Sequence, residues 1–263
     1  MKKYVIINTI SLVLVLFVNY YAQAFGINGN TISKVSNEYN NLFTPASYAF
    51  SIWGFIYVAL ILYIVFQVRR VFFNSGSAEF VKQTGYNFAI ANIGNAAWVL
   101  AWLYDYILLS VLIMCIILIS LIRIILKTNM ERWDAPVKII AFTWWPVCLY
   151  SGWITVALIA NVSAYLTKIG WDRMGISEVI WAIILIVVIV AINLLMITRR
   201  SMREFALVGA WGLVAIYVRQ KDEISTLAIT ALAGAVILVG AATYQAYLNR
   251  KTNPFLKLFQ GDK

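Results

Sequence analysis

Long apolar runs separated by short charged segments dominate this chain of 263 residues. A helix needs about 20 apolar residues to cross the hydrocarbon core of a bilayer. Charged residues make up only 12% of the chain, about half the share that is usual in soluble domains. We therefore predict an all-α fold, a polytopic membrane helical bundle with eight transmembrane helices at 4–25, 47–67, 86–103, 107–126, 137–166, 176–198, 205–218 and 227–248.

The positions of the Lys and Arg residues test this count, because the cytoplasmic ends of membrane proteins collect them. With the N-terminus inside, 16 of the 21 fall on inner segments and 5 on outer segments. The run at 205–218 is short, but unless it crosses, the tail with Arg250, Lys251, Lys257 and Lys263 would lie outside. We expect an integral, multi-pass protein with both termini cytoplasmic, in the cytoplasmic (inner) membrane if the source is bacterial. This placement accounts for the net charge of +10, so we expect no nucleic-acid partner.

The first apolar run has a second interpretation. Lys2 and Lys3, the run itself and the sequence Ala22-Gln23-Ala24 also resemble a signal peptide with its cleavage site. Cleavage would leave seven spans with the same charge asymmetry. We expect the run to be retained as the first helix, and the cleaved form stays open as the alternative.

Side chains that usually carry catalysis or bind metals are scarce. The chain has no histidine, which removes the commonest general base and the commonest metal ligand. Cys115 and Cys148 fall inside apolar runs, where cysteines usually pack as small hydrophobic residues. No run carries a charge near its middle, whereas ion-coupled transporters usually need such a group. We therefore name no catalytic residue, metal site or cofactor, and we favour a protein that is not an enzyme.

The runs do carry tryptophan, and several of the ten tryptophans lie close to asparagine. Residues three or four apart share one face of a helix. Asn95, Trp98 and Trp102 therefore form one stripe, and Trp153 and Asn161 form another. An asparagine amide in hydrocarbon must find a partner, so these stripes should face the bundle interior. The spacing leaves two interpretations open, namely packing and hydrogen bonds between helices, or the walls of a ligand pocket.

Several short motifs follow one another along the first 168 residues: Pro45 with Phe50, Trp53 with Tyr57, Asn95 with Trp98, and Pro146 with Trp153 and Asn161. In this order they resemble the tryptophan-rich sensory protein family, also called the translocator protein or TspO/MBR family. The second helix of that family begins Pro-Pro-x-Trp-Val-Phe. The chain departs from the pattern at Ala46, where the family has its second proline. It also has three C-terminal runs that five-helix members lack.

The resemblance implies a fold and a kind of ligand. Members are five-helix bundles with an internal pocket roofed by the first loop, and they are associated with porphyrins, sterols and synthetic aromatic drugs. Some are reported to degrade porphyrin. For this chain the resemblance implies a five-helix core in residues 1–168 with a lid loop at 27–42, followed by three added helices and a basic tail in residues 169–263. The ligand-binding residues that it implies are Tyr48, Trp53, Tyr57, Asn95, Trp98, Trp102, Trp153 and Asn161.

We therefore expect a membrane protein that binds a flat lipophilic ligand, porphyrin-, tetrapyrrole- or sterol-like, in an aromatic pocket within the bundle, as a sensor or carrier. Two alternatives stay open: a membrane transporter, and a structural or partner subunit of a membrane complex without ligand chemistry. The expected partners are membrane lipid and the small lipophilic ligand, and a homodimer stays open. We expect the lid loop to be mobile without ligand, because it is polar and lacks helical periodicity.

Overall fold

The computed structural model describes residues 1–73 and 76–250. Three cations of the predicted basic tail, Lys251, Lys257 and Lys263, lie outside the described residues. The described residues are predominantly helical. The long helices coincide with the eight predicted runs, so the expectation of an all-helical bundle is confirmed for the described part of the chain.

The helices differ in length and regularity. A 3₁₀ turn at Ser47–Ser51 leads into the third helix, a π-helical turn at Ile140–Trp144 leads into the eighth, and a short 3₁₀ turn at Arg173–Gly175 precedes the ninth. In chain order the α-helices are α1 (Lys2–Ala24), α2 (Ile32–Glu38), α3 (Ile52–Phe72), α4 (Glu79–Thr84), α5 (Asn87–Leu103), α6 (Ile107–Lys127), α7 (Val137–Ile139), α8 (Trp145–Lys168), α9 (Glu178–Arg200), α10 (Arg203–Gln220) and α11 (Ser225–Leu248).

Six helical segments of the described chain are long and apolar enough to cross a membrane: Lys2–Ala24, Ser47–Phe72, Ile107–Lys127, Val137–Lys168, Glu178–Arg200 and Ser225–Leu248. The other two predicted spans correspond to α5 and α10. Helix α5 has 17 residues, which gives a length of about 25 Å against a hydrocarbon core of about 30 Å. Helix α10 has 18 residues and includes the charged Arg203, Glu204 and Arg219. The protein is therefore a polytopic helical membrane protein, and the count of eight crossings stays a prediction.

Five of the long helices form a closed ring. Helix α1 contacts α3 and α5, α5 contacts α6, α6 contacts α8, and α8 contacts α3. Helices α9, α10 and α11 pack on one another, and α10 joins them to the ring through α8. At this junction Gly152 of α8 is so close to α10 that an added Cβ would lie 2.9 Å from the carbonyl oxygen of Phe205.

Helix α1 is tied into the ring by buried amides. The Asn8 side chain donates to the Gln67 side chain of α3 over 3.2 Å, and the Asn19 side chain donates to the Asn95 side chain of α5 over 3.1 Å. Both asparagines are buried. Buried amides in hydrocarbon need such partners, so removing α1 would take away the Asn8 donor of Gln67 and the Asn19 donor of Asn95.

The segment 27–42, called the lid segment below, differs from the prediction in one respect. Its sequence lacks helical periodicity and predicts a loop, yet the segment contains α2. Thr31 caps this helix, since its side-chain oxygen accepts a hydrogen bond from the backbone N–H of Lys34. Ile32 and Val35 of α2 are buried. A helix of 7 residues, about two turns, is too short to show a helical period in the sequence.

Candidate functional site

One end of the five-helix ring lies beside the lid segment, and we call it the lid end. The start of α3 and the turn between α5 and α6 lie there. Pro45 and the 3₁₀ turn at Ser47–Ser51 place Trp53 on the first turn of α3. Asp105 has a positive φ of 66°, a conformation that aspartate tolerates, and it lets α5 turn directly into α6. The tight turn brings Trp98 and Trp102, near the end of α5, beside the start of α6.

A small cavity lies at this end, enclosed mainly by aromatic side chains. Its volume is about 40 Å³. Helix α2 forms its roof, and α3, α5, α6 and α8 form its walls. The lining residues are Ile32, Ser36, Tyr39, Thr44, Pro45, Phe50, Trp53, Trp98, Trp102, Met114, Trp153, Val156, Ala157, Ala160, Asn161 and Ala164. We refer to this space as the aromatic cavity.

Two of the tryptophans are fixed by hydrogen bonds from their indole N–H groups. The Trp98 indole donates to the Asn161 carbonyl oxygen over 2.7 Å, and the Asn161 amide donates to the Ser110 hydroxyl over 2.9 Å. The Trp102 indole donates to the backbone carbonyl of Ile32 over 3.2 Å. Asn161 therefore orients one wall, and Trp102 ties the wall to the roof.

Trp53 differs from these two tryptophans. Its indole N–H is buried and has no hydrogen-bond partner within the described part of the chain. The ring stacks on Tyr57 at 5.2 Å and meets Tyr150 edge-on at 5.8 Å. A buried donor without a partner costs about 1–3 kcal/mol. An acceptor atom supplied from the cavity would remove that cost.

A larger groove adjoins the aromatic cavity between α1 and α3. Its volume is about 610 Å³, and it shares Ile32, Phe50 and Trp53 with the cavity. Tyr48 and Tyr57, two of the predicted ligand-binding residues, line this groove rather than the cavity. The buried Tyr57 hydroxyl also has no partner among the described residues.

The structure thus separates the eight predicted ligand-binding residues into three groups. The cavity walls contain Trp53, Trp98, Trp102, Trp153 and Asn161, while Tyr48 and Tyr57 lie on the groove. Asn95 lines neither space. Its oxygen accepts from Asn19 of α1 and its amide donates to the Tyr150 hydroxyl of α8 over 3.2 Å. It therefore connects three helices.

Sequence reasoning missed several residues at the cavity, and one of them, Phe50, had a detectable signal. Phe50 stands inside the proline-led motif and meets Trp153 edge-on at 6.2 Å. Tyr39 belongs to the lid segment, and its hydroxyl donates to the Asp105 carboxylate. Met114 of α6 lies in an unbroken apolar run and carries no signal of this kind.

Asp105 is the charged anchor of the lid end. Its carboxylate pairs with Lys168 at 2.6 Å and accepts from Tyr39. Burial alone raises the pKa of Asp105, but the hydrogen bonds from Lys168 and Tyr39 and the Lys168 charge outweigh it, so the pKa lies below its ordinary value. The group is therefore ionised at neutral pH and joins the lid segment to the α5–α6 turn.

A different cavity, of about 290 Å³, lies at the opposite end and is lined by Glu131, Arg203, Ser201 and Asn249 among others. Burial, with Glu204 nearby and only partly offset by Arg203, raises the pKa of Glu131 to about 8. The charged lining makes this space a poor match for a flat lipophilic molecule.

These features define a class: a polytopic helical membrane protein with a tryptophan-walled cavity under a helical lid. Comparison with known families agrees with this. The family model described as TSPO-like protein matches residues 5–244, so the chain belongs to the TSPO-like family. The matched range runs through α9 and α10 into α11. No curated protein matches the chain, and no solved structure matches it.

Proposed function

We propose that the protein binds a flat lipophilic ligand of the porphyrin or sterol kind in the aromatic cavity and acts as a sensor or carrier of it. The observation that carries the proposal is the set of four tryptophans, Trp53, Trp98, Trp102 and Trp153, around one space under α2. Aromatic faces stack on planar molecules, and a few polar groups orient them. The Trp53 indole N–H, which has no partner among the described residues, supplies a donor for an oxygen or nitrogen atom of the ligand.

The aromatic cavity is too small to hold such a ligand unless the residues around it move. Pockets for drug-sized ligands hold roughly 300–1,000 Å³, whereas the aromatic cavity holds about 40 Å³. The adjoining groove holds about 610 Å³ and is separated from the cavity by Ile32, Phe50 and Trp53. The ligand is therefore accommodated when the lid segment and Phe50 move aside and the two spaces join.

Quenching of tryptophan fluorescence by protoporphyrin IX, in lipid nanodiscs, tests the proposal. Trp98→Ala and Trp153→Ala should weaken binding by about 1–3 kcal/mol each, because each removes a stacking surface and buried apolar area. Binding should be followed in parallel through the fluorescence of the porphyrin, since both variants lose a tryptophan. Competition by cholesterol would then distinguish a sterol-like from a porphyrin-like preference.

Trp133→Ala and Trp171→Ala are the matched controls. Trp133 is 47% exposed. Trp171 lies in the turn before α9, and its ring packs against Trp181 of α9. Both lie outside the aromatic cavity, so their loss should leave the affinity unchanged. Saturable binding with the same affinity in the wild type and in both cavity variants would place the ligand elsewhere and refute the proposal. Absence of binding in every form would favour the partner-subunit alternative.

We propose further that all eight long helices cross the membrane, with both termini cytoplasmic. Contacts at the two ends support this. Arg219, at the end of α10, reaches the lid segment, while Gln245 of α11 donates to Ser201 before the start of α10. Helix α5 begins beside Lys3, which lies over the Tyr86 ring, and ends at Asp105 beside Tyr39. Both helices therefore run from one end of the bundle to the other.

A further inference from the structure

One face of α10 packs against the part of the chain that leads from the lid segment to α3. Trp211, Ala215 and Arg219 are four residues apart, so they lie on one face of the helix. Each contacts the chain between residues 37 and 49. The order is antiparallel, since Trp211 meets Ala49 whereas Arg219 meets Asn37.

The C-terminal end of α10 contacts the lid segment. The Arg219 guanidinium donates to the Asn37 side-chain oxygen over 3.1 Å and to the Asn40 side-chain oxygen over 2.9 Å. Gln220 donates to the backbone carbonyl of Leu42 over 3.0 Å. The two terminal nitrogens of one guanidinium thus bond one asparagine each, which the planar fork of arginine suits better than the single nitrogen of lysine does.

The other end of the contact holds the 3₁₀ turn that precedes α3. The backbone N–H of Ala46 donates to the carbonyl of Ala215 over 3.1 Å, and the Trp211 indole donates to the carbonyl of Ala49 over 3.1 Å. Tyr48 meets the Trp211 ring edge-on at 5.3 Å. Proline has no N–H, so a proline at position 46 could not make the bond to Ala215.

The opposite side of the lid segment is attached to the α5–α6 turn instead. Tyr39 donates to Asp105, and the side chain of Asn30 donates to the carbonyl of Leu103 over 3.3 Å. The lid segment therefore spans two supports, one on the five-helix ring and one on α10. No α10 residue is among those lining the aromatic cavity, so α10 acts on the cavity through the residues that it contacts, among them the lid segment.

We infer that α10 controls admission of ligand to the aromatic cavity, and that Arg219 is the positioning residue through which it holds the lid segment closed. The inference rests on the proposed function for its ligand. The closed cavity is too small for the ligand, so the lid segment has to leave α10 before the ligand is admitted. Arg219 bonds to the lid segment itself, and Ala46, four residues after that segment, bonds to Ala215. Both sets of bonds are present in the closed state and are broken during admission, so weakening either speeds association.

The test uses Arg219→Ala and Ala46→Pro in nanodiscs, with stopped-flow quenching by protoporphyrin IX and hydrogen exchange without ligand. Ala46 has a φ of −59°, which proline also adopts, so the second variant removes one donor without straining the backbone dihedral. We expect association to be about threefold to tenfold faster in each variant, the effect of losing one or two hydrogen bonds. Amides of α2 should also exchange faster, whereas amides in the middle of α5 should not.

Lys221→Ala and Ala46→Ser are the matched controls. Lys221 is exposed and lies next to Gln220, and Ala46→Ser keeps the backbone N–H, so both should behave like the wild type. Unchanged association rates in Arg219→Ala and Ala46→Pro would overturn the inference, even if their melting temperatures fall. If the wild type itself binds no porphyrin, the proposed function fails. Hydrogen exchange of the α2 amides without ligand then decides separately whether α10 holds the lid segment. If these amides exchange at the wild-type rate in Arg219→Ala and Ala46→Pro, α10 does not hold the lid segment.

Discussion

Two asparagines that look alike in the sequence have different surroundings in the fold. Asn95 and Asn161 each lie on a stripe with tryptophan, and both are buried. Asn95 reaches Asn19 and Tyr150, whereas Asn161 accepts from Trp98 at the wall of the aromatic cavity. Asn95 therefore matches the interpretation of hydrogen bonds between helices, whereas Asn161 makes such bonds at the wall of the aromatic cavity, where a role in ligand binding stays a proposal.

Asn95→Leu and Asn161→Leu should separate these roles. Interhelical hydrogen bonds in membranes average about 0.6 kcal/mol, so Asn95→Leu should lower the melting temperature modestly and leave porphyrin affinity unchanged in the folded fraction. Asn161→Leu frees the Trp98 indole at the cavity wall, so affinity should fall as well. Thermal unfolding by circular dichroism and porphyrin titration measure the two effects. A loss of affinity in Asn95→Leu without loss of stability would contradict the assignment.

Five of the eight residues that the family resemblance implies lie on the aromatic cavity. Helical spacing alone does not select them, since it also groups Asn95 with Trp98 and Tyr57 with Trp53. It could not place Asn95, since a side chain one turn from Trp98 is short and contacts different neighbours. Nor could it place Ile32 and Tyr39, because the roof depends on how the lid segment folds back over α5. These contacts are more than 65 residues apart in sequence, and no local pattern encodes them.

At the scale of helices, α5 and α10 are the elements that hydropathy identifies least well. Both are mostly buried, with neighbours on several sides, so they contact little lipid and need less apolar surface. Small residues compensate by allowing close approach. In α10 an added Cβ on Gly212 would lie 2.8 Å from the Val156 side chain of α8. Helix α10 thus gains its position from close packing rather than from length or hydropathy.

Gly152→Ala and Gly240→Ala test this packing. At Gly152 the added methyl would meet the backbone of Phe205 in α10, so the α8–α10 contact must open, at a cost of about 1–3 kcal/mol. Gly240 has nothing within 4 Å of the added Cβ, and alanine there should stabilise α11 by up to about 1 kcal/mol. Thermal unfolding in nanodiscs measures both. Equal melting temperatures for the two variants would mean that the α8–α10 junction is looser than described.

For the whole molecule, the open matter is whether α5 and α10 cross the membrane, since the charge asymmetry requires both crossings. Labelling by a membrane-impermeant maleimide in sealed vesicles decides this, in a protein whose own cysteines are removed by Cys115→Ser and Cys148→Ala. One cysteine at a time is then introduced beside each helix: Ser77→Cys or Tyr106→Cys for α5, and Arg199→Cys or Asp222→Cys for α10. Because Lys and Arg collect on the cytoplasmic side, Ser77→Cys and Arg199→Cys should label only from the cytoplasmic face and the other two only from the opposite face. Labelling of Arg199→Cys and Asp222→Cys from the same face would show that α10 does not cross. The lid segment and the end of α10 would then lie on different sides, which the bonds from Arg219 to Asn37 and Asn40 do not allow.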